Sequence, residues 1–373
     1  MPHSPFLNGG SAGAFPVTER EEKSMMGTPP KGIGSLIPAA DRASPSSRAA
    51  TVWSAWTAGR GDNRAFSTAR AALAALLVAR RVKRLWLPAY VCRALVEGVT
   101  RAGAEPIWYG VDDHLNCDVE AVRAGLAPDD AVLTICWFGR PPEAKFQMLA
   151  SDFPSLLIIE DRAQALDPGA GIPGAIRLYS PRKLLGVADG GILVGSNLPA
   201  SPIQPGLPDL WTANDRRRAD TEGRDPDSWF PVYRARETAF DAEPRRCSDR
   251  TLAALDRVDI QPETDARRRN WASLAAHLAP VALWSDPVPQ FAPLAFPVVV
   301  PNAADLVAHL ADRRIWAARH WEKLPSPRRF DAAHRLSARC VSLPLDGRYG
   351  RPDMMRIVDA VREFAGASPL RSA

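Results

Sequence analysis

At 373 residues, 46% hydrophobic and 24% charged, the chain has the composition of an ordinary globular protein, which excludes a disordered polymer as its main state. Its 47 basic and 42 acidic residues leave a net charge of +5, too small and scattered for a nucleic-acid-binding stripe but favourable to anionic small molecules. No stretch approaches the roughly 18 to 20 uninterrupted apolar residues that a membrane-spanning helix requires.

Five cysteines, Cys92, Cys117, Cys136, Cys247 and Cys340, lie far apart with no C-x-x-C pair and no histidine at ligand spacing. Neither a disulfide framework nor a metal site is expected, and a reducing cytoplasm fits this usage. Residues 1–48 are rich in Pro, Gly and Ser and lack the apolar core of a secretory signal, so a largely disordered N-terminal segment is expected.

From about residue 65 the text becomes periodic. A helix is expected over 68–80, a strand over 84–88, a helix over 92–102, a strand over 105–111 and a short helix over 119–125. A strand over 131–138, a helix over 142–151 and a strand over 156–161 follow, and 176–179 and 191–195 extend the sheet. Apolar strands alternating with helices argue for an α/β fold with a mostly parallel sheet between helices. Residues 197–246 mix Pro, Asp, Arg and Trp with poor periodicity and read as surface loops around a helix, in which Arg216, Arg217 and Arg218 are expected to be solvated. Helical patterning returns at Ser248, an N-cap candidate, with an Arg-rich helix over 263–278. A strand over 295–300, a helix over 303–313, a strand over 340–343 and a helix over 351–365 complete a smaller α+β part. The expected division is therefore a segment 1–48, a large domain 49–246 and a small C-terminal domain 247–373.

The chemistry concentrates in residues 156–195. Ligands of open α/β sheets sit beyond the carboxyl ends of the strands, where Asp161 ends an apolar run. Lys183 follows 22 residues later, after the next strand, in a short turn with Ser180. Such an acid and amine serve separate needs of pyridoxal chemistry: a carboxylate keeps the ring nitrogen protonated, and an amine holds the aldehyde and later acts as base.

The combined string is more specific than either residue. Glu160-Asp161-Arg162-Ala163-Gln164-Ala165-Leu166, then Ser180-Pro181-Arg182-Lys183, then Asp189-Gly190-Gly191-Ile192 resembles the cofactor-binding stretch of the DegT/StrS-type sugar aminotransferases, pyridoxal-dependent enzymes of the aspartate aminotransferase fold. Thr68-Ala69-Arg70-Ala71-Ala72-Leu73 is similar to that family's phosphate-binding helix start, a site suited to an anion. Leu87-Pro88-Ala89-Tyr90-Val91-Cys92, Trp137-Phe138-Gly139, Ala266-Arg267-Arg268-Arg269-Asn270, His320-Trp321 and Ser342-Leu343-Pro344-Leu345 extend the likeness over roughly residues 30 to 365.

The resemblance implies pyridoxal 5'-phosphate as cofactor, with Lys183 as the Schiff-base lysine, Asp161 on the ring nitrogen and Gln164 near the phenolic oxygen or ring face. Ser180, Thr68 and the Ala69 amide would hold the phosphate, and Tyr90 would stack on the ring, although the family's aromatic often stands where this chain has Cys92. It further implies a large cofactor-binding domain, a homodimer, and amino transfer from an amino acid, glutamate being the expected donor, to a keto sugar that is usually nucleotide-linked. The family's Gly-x-Asn-Tyr/Phe-Arg loop has no clear counterpart in 197–246. Two rival readings are a non-catalytic pyridoxal-binding regulator and a related sugar dehydratase, against which Lys183 argues because that branch carries His there. A dinucleotide-binding oxidoreductase would need a G-x-G-x-x-G turn after the first strand, where none stands.

Overall fold

The computed structural model describes residues 30–40, 50–167 and 169–367. Among them the strands are β1 (Ile33–Gly34), β2 (Asp62–Phe66), β3 (Arg84–Pro88), β4 (Glu105–Tyr109), β5 (Asp130–Ile135), β6 (Leu157–Asp161), β7 (Ile176–Tyr179), β8 (Gly191–Gly195), β9 (Ala295–Val299), β10 (Ile315–Trp316) and β11 (Cys340–Pro344). The helices are α1 (Val52–Thr57), α2 (Ala69–Ala79), α3 (Arg93–Arg101), α4 (Val119–Gly125), α5 (Ala144–Asp152), α6 (Thr212–Ala219), α7 (Phe230–Ala239), α8 (Asp249–Leu255), α9 (Ile260–Leu278), α10 (Ala303–Asp312), α11 (Asp331–Arg339) and α12 (Arg351–Ala367).

Seven strands form one sheet in the order β2-β8-β7-β6-β5-β3-β4. The pairs among β4, β3, β5, β6 and β7 are parallel, while β8 runs antiparallel to both β7 and β2. The parallel strands β5 and β6 are almost wholly buried, as strands covered on both faces must be. This is the expected α/β architecture.

Each element has a local cause. In α2, an unbroken Ala and Leu run over 71–77 follows a Thr68 N-cap, whose hydroxyl accepts from the Ala71 N–H at 3.1 Å. Ser248 caps α8 by accepting from the Thr251 N–H. In α9, Trp271, Leu274 and Leu278 face inward at helical spacing, and Trp271 meets Phe296 of β9 edge-on with ring centroids 4.7 Å apart. The antiparallel pair β9–β11 shares one hydrophobic cluster with the central sheet.

Three features depart from the expectations. Residues 32–40 lie within the stretch read as disordered, yet β1 pairs in parallel with β10, and Ile33 is fully buried; residues 1–29 and 41–49 lie outside the described residues. The Asp62–Phe66 strand was not expected, since the elements read from the sequence begin after it; its polar residues occupy the sheet edge, where only one neighbour is needed. Two helices, α6 and α7, build the segment 197–246, and Arg217 is buried against the Trp229 ring rather than solvated.

Candidate active site

The strands β6 and β7 are parallel neighbours, so their carboxyl ends deliver Asp161 and Ser180 to the same edge of the sheet. Side chains alternate along β7: Tyr179 points away to stack on Trp56 at 4.3 Å, while Leu178 and Ser180 face the opposite side. Pro181 then starts a 3-10 turn over Pro181–Lys183, which returns Lys183 toward Asp161.

Thr68, Ala69, Cys92, Asp161, Ser180 and Lys183 line one narrow pocket of about 40 Å³. Arg182 and Lys183 also line a larger cleft of about 510 Å³ beside it. Among the described residues, Lys183 is the one lysine that lines the pocket. Its amine has no hydrogen bond or ion pair among the described residues.

The Asp161 carboxylate accepts one hydrogen bond, from the Ala163 N–H to Oδ1 at 2.8 Å, and its second oxygen has no partner among the described residues. Burial raises its pKa, against the opposing charge of Lys183 and the Ala163 N–H. A buried carboxylate with one uncommitted oxygen is stabilised by a cationic N–H set before it, which is what a protonated ring nitrogen offers.

At the other end, α2 points its N-terminus into the pocket. The first N–H groups of a helix have no carbonyl of their own helix, so those of Ala69 and Arg70 are left for a ligand. The Thr68 hydroxyl is committed to the cap and donates to the Asp241 carbonyl at 3.3 Å. The Ser180 hydroxyl makes no hydrogen bond among the described residues. Gly191 permits this packing, since a Cβ there would lie 2.1 Å from the Thr68 carbonyl oxygen. Asp189 anchors the neighbouring turn, accepting from the Ser248 N–H and hydroxyl, both at 2.7 Å, and from the Thr251 hydroxyl.

Two expected ligands stand elsewhere. Tyr90 is fully buried outside the pocket and donates its hydroxyl to the His320 carbonyl. Cys92, two positions on, faces the pocket instead, with its thiol pKa raised by burial, against the charge of Lys183. Gln164 spends its side-chain oxygen on the Phe138 N–H at 2.6 Å, where Phe138 adopts a left-handed backbone that the bond holds in place, and it does not line the pocket.

The wall of the larger cleft was not anticipated. Tyr233, Arg236 and Glu237 of α7 line it, together with His320 and Arg182. Their i, i+3, i+4 spacing is the one signal in the sequence that places them on a single helical face. Asn214 of α6 holds this wall to the body by accepting from Arg236 at 2.5 Å and donating to the Ile37 carbonyl at 2.9 Å. His320 shares a hydrogen bond with the Ser342 hydroxyl at 2.8 Å, and burial, then the Lys183 charge, lowers its pKa to about 4.

This seven-stranded fold, with an acid and an amine beyond the strand ends, is that of the fold-type-I aminotransferases. Among solved structures the chain is similar to DesV from S. venezuelae, determined with a ketimine intermediate: TM-score 0.63 and 21% identity over 84% of this chain and 87% of the other. An aminotransferase of the DegT/DnrJ/EryC1/StrS group from Brucella abortus gives TM-score 0.60 and 20% identity over 83% and 87% of the two chains. DesI, solved with its TDP-sugar product, gives TM-score 0.59 and 20% identity over 83% and 81%. No protein-family model matches the sequence, and no curated protein matches it.

Proposed function

We propose that the protein is a pyridoxal-phosphate-dependent aminotransferase acting on a keto sugar. One observation carries this reading: a single pocket brings together an unpaired lysine amine, a buried carboxylate with a free oxygen, an uncommitted serine hydroxyl and the open N-terminus of α2. These donors match the amine-reactive carbon, basic ring nitrogen and phosphate of pyridoxal phosphate. When bound, that cofactor supplies the electron sink that lets a C–H bond beside an amine ionise.

The chain's own residues do the rest. Lys183 holds the cofactor through Nζ and then moves the proton at the substrate carbon that carries the nitrogen. Asp161 keeps the ring nitrogen protonated, and its raised pKa records the cost of leaving that carboxylate buried without such a partner. Ser180 and the Ala69 and Arg70 N–H groups hold the phosphate. Cys92 shares the pocket lining with Lys183 and Asp161, where its thiol would offer the cofactor a small, polarisable group. His320 stays neutral at the mouth, so it adds no charge to the cleft.

The sugar reading rests on the likeness to DesV and DesI, and the TDP-sugar product of DesI supports a nucleotide-linked acceptor for this chain as well. Glutamate is the donor we assign, and a homodimer in the cytoplasm is the expected form. The test is a half-reaction: protein saturated with pyridoxal phosphate is given L-glutamate without acceptor, and 2-oxoglutarate is quantified. One equivalent per cofactor supports the reading. No matching 2-oxo acid from any acidic or neutral amino acid, in protein shown to bind the cofactor, would turn it into a binding protein of the same fold.

A further inference from the structure

The charges of the larger cleft do not balance. Arg182, Lys183, Arg236 and Arg267 line it against only Glu237 and Asp346. Two of these are spoken for. Arg267 donates to Glu263 at 2.6 Å and to the carbonyls of Leu184, Pro293 and Leu294. Asp346 is bound by Arg348 at 2.6 and 2.8 Å. What remains around Lys183 is a pair of arginines, Arg182 and Arg236, sharing the single carboxylate of Glu237.

That sharing is poor. Both Glu237 oxygens fall on Nη1 of Arg182, each at 2.7 Å, whereas a guanidinium and a carboxylate at their best pair two nitrogens with two oxygens. The Arg182 Nη2 has no partner among the described residues. Nη2 of Arg236 comes only to 3.7 Å from Glu237, and Nε of both arginines is buried without a partner among the described residues. The Arg236 side chain is 6% exposed, fixed through Nη1 to the Leu210 carbonyl and Asn214. Burial lowers its pKa most, Glu237 opposes this, and the nearby Arg182 lowers it again; a guanidinium does not give up its proton in a protein, so Arg236 stays a buried cation beside a second one.

We propose that Arg182 and Arg236 form the subsite for a carboxylate of the amino donor, and that Glu237 occupies it as an internal stand-in that yields when substrate arrives. The subsite adjoins Lys183, one residue from Arg182, so a carboxylate held there sets the adjoining amine toward the Lys183 end of the pocket. Glu237 suits the role because it sits on α7 at 26% exposure and because both its ion pairs are with the proposed ligand-binding groups. An acceptor without a carboxylate would leave Glu237 in place, so one cleft accommodates both an anionic donor and a neutral keto group. The identity of the ligand rests on the aminotransferase reading; the subsite itself does not.

The test is calorimetric titration of the protein as purified with succinate, a dicarboxylate that cannot react, so it reads binding whether or not amino transfer is detected. Glu237→Gln should bind succinate roughly fivefold tighter than wild type, and Arg182→Gln roughly tenfold weaker or not at all. Uncharged succinamide should be indifferent to Glu237→Gln. Thermal melts certify that each variant is folded, and Arg182 is preferred to the more buried Arg236 for that reason. In turnover, Glu237→Gln should lower KM for the donor without raising kcat. Unchanged or weaker succinate binding in Glu237→Gln, equal tightening of succinamide, or undiminished binding in folded Arg182→Gln would each overturn the proposal.

Discussion

Replacing Gly191 with alanine tests whether the phosphate end of the pocket depends on how closely β8 approaches α2. A Cβ at this position would sit 2.1 Å from the Thr68 carbonyl oxygen and 2.4 Å from the Ala69 nitrogen. Ordinary contact begins at 3.4 Å, so strand or helix must retreat by about 1.3 Å. Both obstructing atoms are backbone, one of them in the N-cap residue and the other in the first residue of the helix, so neither can rotate aside. Overpacking of this kind costs about 1–3 kcal/mol, which lowers Tm by several degrees in a chain of this size. The displaced N–H groups are those assigned to the cofactor phosphate. A shift of about 1 Å in a binding constellation costs up to about a hundredfold, so pyridoxal phosphate affinity should fall tenfold or more. Gly174→Ala is the control: φ is +76° there with nothing within 4 Å of the new Cβ, so it should cost about 1 kcal/mol of strain and leave cofactor affinity unchanged. Differential scanning calorimetry and a fluorescence titration with pyridoxal phosphate decide the matter. If Gly191→Ala melts and binds as wild type does, the account of the phosphate cradle is refuted.

Other perturbations address the scaffold around the pocket. Glu160 is fully buried, accepts from Arg162 at 2.6 Å and lies 3.6 Å from Arg177, so Glu160→Gln strands two largely buried guanidinium groups; a loss of about 3–5 kcal/mol in urea denaturation is expected, and a loss under 1 kcal/mol would contradict this. His320 has its pKa lowered from 6.5 to about 4 in the folded protein, so the native state binds fewer protons than the unfolded one, and the stability this contributes is complete above pH 6.5 and lost as pH falls toward about 4. His320→Gln should therefore lose less stability than wild type between pH 7 and 4.5, and parallel losses would show that His320 is freely protonated in the folded state.

The reach of the sequence followed the physics of each element. Strands Arg84–Pro88, Ile176–Tyr179 and Gly191–Gly195 fall where expected because apolar runs are cut short by Pro, Ser or Gly. The polar edge strand Asp62–Phe66 and the six-residue helix Val52–Thr57 had no such signature. The latter is held by tertiary contacts, with Trp56 stacked on Tyr179 and donating to the Leu166 carbonyl at 2.8 Å. In the pocket, residues at strand ends and at the α2 cap were legible because sheet alternation and capping fix where they point. Tyr90 and Gln164 were not, since their orientation depends on partners far along the chain, His320 and Phe138. The cleft wall on α7 was hidden for a related reason: a helix facing a polar cleft on one side and solvent on another shows little apolar periodicity.

The central claim is that Lys183 is the residue that carries the cofactor, and it can be read chemically without turnover. Protein incubated with pyridoxal phosphate is reduced with borohydride, digested and mapped by mass spectrometry. The account predicts a phosphopyridoxyl group on the peptide containing Lys183, absent from Lys183→Ala, with occupancy much reduced in Asp161→Ala. A label spread over surface lysines, or one that survives in Lys183→Ala, would contradict it.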